Sequence, residues 1–193
     1  MKMSKPKLLI AAALLLSISS HAQFKLPVNN AFRNDVQKVV AEFPSQFASL
    51  RGDVVAKNPQ TVEFASLVSI DKAESCTIMQ YSAKSKPIYS WQALMLSTED
   101  FAEAEKKYKW LFNQLRGMNV KYVVDQYTLR GQYEMPAEER KFTISQLTVV
   151  NPPMALQKLK VEIAMQYEFP EWKVSLAVFE KERDDDERGD LID

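Results

Sequence analysis

The stretch Leu159-Lys160-Val161-Glu162-Ile163-Ala164-Met165-Gln166-Tyr167-Glu168 decides the fold. Successive side chains of a strand point to opposite faces, so Leu159, Val161, Ile163, Met165 and Tyr167 share one side. Lys160, Glu162, Ala164, Gln166 and Glu168 share the other. One apolar side against one largely polar side is the mark of an antiparallel sheet with a single covered face. Phe169-Pro170-Glu171 turns the chain, and Trp172, Val174, Leu176 and Val178 then oppose Lys173, Ser175 and Ala177.

Working back from this hairpin, the period of two recurs. Residues 141–150 alternate Phe142, Ile144, Gln146, Thr148 and Val150 with Thr143, Ser145, Leu147 and Val149, and Asn151-Pro152-Pro153 breaks the run. Residues 119–133 alternate more weakly and read as one strand, followed by a turn at Met135-Pro136-Ala137-Glu138-Glu139. Three further strands are expected over 61–70, 75–83 and 88–96, where β-branched and aromatic residues alternate with others.

Between the two strand blocks the period changes. Phe101, Ala104, Tyr108, Leu111, Phe112 and Leu115 form an apolar stripe at helical spacing, with Glu103, Lys106, Lys107 and Lys109 facing water. Ser97 is the expected cap, with Asp100 in the capping-box position, and Gly117 the expected stop. A first helix is expected from Asn29 or Asn30, carrying Phe32, Val36, Val39, Val40 and Phe43. Pro44 opens a second, short helix with Phe47 and Leu50, ended by Gly52.

The expected fold is therefore α+β: an antiparallel sheet of about six or seven strands with two main helices on one face. The order is helix, three strands, helix, four strands. The repeated block shape suggests a distant internal duplication, although no residue-level repeat supports it. Residues 23–180 are expected to form a single domain, and residues 181–193 an acidic disordered tail. From Glu180 onward the chain holds eight acidic and three basic residues.

The first 22 residues stand apart. Lys2, Lys5 and Lys7 precede the apolar run Leu8–Leu16, and Ser20-His21-Ala22 supplies small residues for cleavage between Ala22 and Gln23. That is the layout of a secretory signal peptide, and the run is shorter than the roughly 20 residues a spanning helix needs. The expectation is export to the periplasm or medium, with no membrane span left after cleavage.

This reading changes the charge. The whole chain carries 25 basic and 25 acidic residues; without the three lysines of the leader, 22 basic face 25 acidic. His21 is the only histidine and leaves with the leader, and Cys76 is the only cysteine. A chain without His cannot build a Ser-His-Asp or Cys-His mechanism, nor a His-based zinc or iron site. Its four glycines form neither a GxxxxGK[ST] loop nor a GxGxxG turn, so no nucleotide cofactor is expected, nor any other. Without a basic excess no nucleic-acid partner is expected.

The remaining candidates are few. Glu134, Glu138 and Glu139 are carboxylates at a turn, read as solvated. Cys76, on the face of Ile78, is read as a buried small hydrophobe. Arg51-Gly52-Asp53 and Arg188-Gly189-Asp190 match an adhesion tripeptide only over three residues each. Asp184-Asp185-Asp186-Glu187 lacks the alternate spacing of a calcium loop. Tyr89, Trp91 and Met95 share one strand face and Trp172 lies on another; they form a binding platform if one face stays uncovered, or pack against Phe101, Tyr108 and Phe112 if it does not.

The chemistry left points to an exported, non-catalytic binding or interaction domain, with a protein or a small apolar ligand as partner. The alternatives are a carboxylate-based secreted hydrolase and a passive structural or assembly protein of the envelope.

Overall fold

A computed structural model describes residues 29–83 and 86–180; the leader, its cleavage point at Ala22–Gln23 and the acidic tail lie outside the described residues. The chain is α+β. Among the described residues one antiparallel sheet has nine strands in the order β1-β2-β3-β4-β9-β8-β7-β6-β5. The strands are β1 (Arg51–Lys57), β2 (Thr61–Ser66), β3 (Ser75–Tyr81), β4 (Ile88–Thr98), β5 (Asn119–Tyr122), β6 (Asp125–Gly131), β7 (Phe142–Val149), β8 (Leu159–Glu168) and β9 (Glu171–Glu180). The helices are α1 (Asn30–Glu42) and α2 (Phe101–Leu115).

The order is thus helix, four strands, helix, five strands, and the expected six or seven strands become nine. Two places account for the difference. Gly52 is expected to end the short helix, with an approach to the first strand after it; instead Arg51–Lys57 forms edge strand β1. Its register against β2 shifts between Arg51 and Val54 and again between Val54 and Ala56. A bulge breaks the period of two that identifies a strand, which leaves both Val54 and Val55 exposed. The run 119–133, expected as one strand, is a hairpin: Tyr122 pairs with Asp125, and Val123 takes a positive φ of 55° at the turn.

Local signals explain the helix ends. Asn29 caps α1, its side-chain oxygen accepting the Phe32 N–H at 3.1 Å. The expected cap of α2 moves three residues. Ser97 lies within β4, and Asp100 accepts the N–H groups of Ala102 and Glu103 at 2.8 and 3.2 Å. The short helix expected over Phe47 and Leu50 is two 3-10 turns, Phe43–Ser45 and Ala48–Leu50, separated by Gln46 and Phe47 in the left-handed region.

The core gathers the stripes of both helices and alternate residues of the sheet. α2 packs over β4, β8 and β9, and α1 beside β5. In β8 and β9 the alternation is complete: Leu159, Val161, Ile163, Met165, Trp172, Val174, Leu176 and Val178 are buried. Among the described residues Ser90, Gln114, Thr143 and Ser145 are buried polar side chains, and Ser145 meets a helix hydroxyl within the core. The Tyr108 hydroxyl and Ser145 Oγ lie 2.7 Å apart, and Ser145 Oγ also accepts the Glu134 N–H at 2.9 Å. That arrangement leaves neither hydroxyl unsatisfied.

Candidate binding groove

The expected platform residues do not form an exposed surface. Trp91, Met95 and Trp172 are buried in the core, and Tyr89 is half-buried. Trp172 meets Phe101 edge-on, with ring centroids 5.1 Å apart. The Trp91 indole N–H donates to Ser66 Oγ at 2.9 Å. Tyr89 carries the Arg51 guanidinium 4.6 Å above its ring and accepts a hydrogen bond from it at 3.1 Å. The cause is the packing of α2, whose stripe needs the same face that these aromatics line.

The other candidates resolve similarly. Glu134 pairs with Arg140 at 2.8 Å in an exposed turn, and Glu138 and Glu139 are exposed beside it. Cys76 is half-buried; its Sγ accepts the Ile70 N–H at 3.5 Å, and burial pushes the thiol pKa up, away from reactivity. Arg51 lies against Tyr89 and Phe64, so the tripeptide Arg51-Gly52-Asp53 offers no free guanidinium loop. Arg188-Gly189-Asp190 and Asp184–Glu187 lie outside the described residues. Among the described residues no group of three His, Cys, Asp or Glu side chains stands close enough to hold a metal ion. Nor is any helix there long and apolar enough to cross a membrane.

The opposite face of the sheet carries no helix among the described residues. Its cross-strand rows mix aliphatic, small and polar side chains: Ile144, Ala164, Ser175, Leu94 and Ser75 are successive partners, as are Gln146, Glu162, Ala177, Gln92 and Thr77. A depression of about 310 Å³ lies there, lined by Glu63, Thr77, Gln92, Gln166, Ser175 and the ion pair Lys173–Glu168 among others. Its lining is mostly polar.

A second concavity is larger and of different chemistry. It runs along the flank of α2, with a volume of about 630 Å³, and is lined by Leu96, Glu103, Lys106, Lys107, Lys109, Trp110 and Asn113. Most of these recur at helical spacings of three and four, so one flank of α2 lines the groove from end to end. Leu96 comes from β4, beyond the bulge at Met95 where the register against β9 shifts. Trp110 is held by Phe32 of α1, ring centroids 5.1 Å apart at 64°. A hydrogen-bond lattice fixes the neighbourhood: the Asn29 N–H donates to Gln114 Oε1 at 2.9 Å, and Asn29 Nδ2 donates to Asp71 Oδ2 at 3.0 Å.

The electrostatics of the groove centre on Lys107. Its ammonium lies 5.3 Å from the centre of the Trp110 ring. Burial is the main cause that lowers its pKa, and Lys72 adds to this; Asp71 and Glu74 act in the opposite sense. None of the salt bridges among the described residues includes Lys106, Lys107 or Lys109. Glu103 is engaged elsewhere, accepting the Thr98 hydroxyl at 2.8 Å.

Sequence reasoning missed this groove because it sorted α2 into a buried stripe and a solvated face. That division holds for Tyr108 and Lys106. It fails for Lys107 and Trp110, which flank the stripe and are each half-buried. The available signal was the spacing Glu103, Lys106, Lys107, Trp110, in which an indole lies three and four residues from two ammonium groups. No protein-family model matches this chain, and neither a curated protein nor a solved structure matches it significantly.

Proposed function

We propose that the chain is an exported, non-catalytic binding domain whose ligand site is the groove along α2. The observation that carries this reading is the groove itself: about 630 Å³, walled by Trp110 and Leu96 and edged by lysines. Small-molecule sites have volumes of roughly 300–1,000 Å³ and combine an apolar lining with a few polar groups. The titratable side chains outside the groove support binding over chemistry, since the one histidine, His21, lies in the leader and Glu134 is tied to Arg140 on an exposed turn.

The test uses the uncharged apolar dye N-phenylnaphthylamine. Trp91 and Trp172 are buried, so Trp110 is the indole a groove ligand can touch. The expected result is saturable dye fluorescence with energy transfer from tryptophan. Asn113→Trp, which narrows the groove without touching the core, weakens dye binding at least tenfold. Absence of saturable binding, or binding equal in Asn113→Trp, overturns the reading.

A further inference from the structure

We infer that the groove takes a single-chain anionic amphiphile of the fatty-acid class, its carboxylate against Lys106 and Lys107 and its hydrocarbon chain along Leu96 and Trp110. This rests on the groove being the ligand site and names what enters it.

Charge complementarity decides the head group. The groove gathers Lys106, Lys107 and Lys109 against the single carboxylate of Glu103, which already accepts the Thr98 hydroxyl. Outside these four side chains, residues 23–179 carry 16 basic and 16 acidic residues, so the groove holds the excess of positive charge in this part of the chain. Lys107 is the centre of the argument. Its ammonium is half-buried over an indole and enters none of the ion pairs among the described residues. Partial removal of water from a charge is unfavourable unless an opposite charge or hydrogen-bond acceptor compensates it. The cation–π contact and the nearby carboxylates of Asp71 and Glu74, neither within ion-pair distance, supply part of that compensation. A ligand carboxylate supplies the remainder and leaves the indole face in use.

The lining decides the tail. Leu96, Trp110 and the methylene stems of the lysines form an apolar strip, because long cationic side chains lay their carbons along apolar surface and lift their charge to the edge. A wholly polar anion would leave that strip wet, and a wholly apolar ligand, the dye included, gains the strip but no charge contact with the lysines, so it binds more weakly than an anionic amphiphile. From Glu103 to Asn113 the strip follows α2 for about 15 Å at the helical rise per residue. That length suits a medium-chain acyl group lying along the helix.

The experiment displaces N-phenylnaphthylamine from the mature chain with laurate, dodecanol and dodecyltrimethylammonium, all below micelle formation. Laurate is expected to displace the dye at least tenfold more effectively than dodecanol, and the cation least. In Lys106→Met/Lys107→Met the ratio of laurate to dodecanol falls to near one, whereas Lys107→Arg retains it. Equal displacement by all three overturns this inference and leaves the binding reading standing. Failure of the dye itself to bind overturns both. Stronger displacement by an acidic, leucine-rich peptide than by laurate identifies the occupant as a protein segment and overturns the inference.

Discussion

One row of cross-strand partners crosses seven strands on the covered face: Leu147, Val161, Val178, Trp91, Ile78, Phe64 and Val54. From Leu147 to Ile78 every member is fully buried; Phe64 is half-buried and Val54 is 56% exposed. The row is continuous in hydrogen bonding and discontinuous in burial. Its buried end lies where α2 covers β4, β8 and β9. At its other end the group above Phe64 and Tyr89 is the Arg51 guanidinium. A fully buried aliphatic side chain contributes about 1.5–3 kcal/mol, and a cation–π contact about 0.5–2. The lesson is that ladder hydrogen bonds spread a sheet, while the layer above it sets how stable each part is.

The largest expected effect tests this on the row itself. Leu147→Ala removes a fully buried side chain and is expected to cost about 2–5 kcal/mol. Val54→Ala, six strands away on the same row, is expected to change stability by no more than about 0.5 kcal/mol. Urea unfolding of both variants gives the comparison directly. Equal losses would mean that the β1 end contributes to the cooperative core as strongly as β7, contrary to the burial gradient.

Both the success and the failure of the sequence reading follow the same gradient. The strands β8 and β9 were legible because burial on one face forces the period of two, and the helix α2 because its stripe must meet that face. β1 was not legible, since a strand without a covering layer has no pattern to keep: Gly52 and Asp53 are poor strand formers, and the bulges put Val54 and Val55 both in solvent. The hairpin at Val123 was hidden for a related reason, with Val123 and Val124 both exposed where apolar residues normally signal a strand interior. The groove belongs to the flank of α2, between stripe and solvent. A two-class division of a helix surface has no place for Lys107 and Trp110.

A second, smaller effect concerns the polar group within the buried end. Burial is the main cause that raises the Tyr108 pKa from 10.0 to about 12, with the Ser145 hydrogen bond acting in the opposite sense. The folded state therefore holds the phenol proton more tightly than the unfolded chain does. This contribution to stability is fully present below pH 10 and is lost as pH rises from there towards 12. Tyr108→Phe is expected to cost about 0.5–1.5 kcal/mol at neutral pH, for one lost hydrogen bond. It should also flatten the alkaline decline relative to the parent chain. Thermal unfolding at several pH values between neutrality and 12 measures both, and an unchanged decline in Tyr108→Phe would assign it to other groups.

The smallest effect lies at the sheet's two edges, which are protected by different means. Edge strands expose unpaired backbone groups that invite another strand. β1 is bent by its two register shifts. β5 is capped: the Gln37 side chain of α1 donates to the Lys121 carbonyl at 2.8 Å and accepts the Lys121 N–H at 2.6 Å, so one amide takes the place of a tenth strand. Gln37→Ala leaves both backbone groups to water, which hydrates them readily at this exposed site, so the expected cost is below about 1 kcal/mol. The change is local. Hydrogen exchange at the Lys121 amide is expected to accelerate severalfold, while β1 and the buried strands keep their rates. Acceleration throughout β5–β7 would instead show that the clamp holds the hairpin onto α1, and that this end of the sheet depends on its layer as much as β1 lacks one.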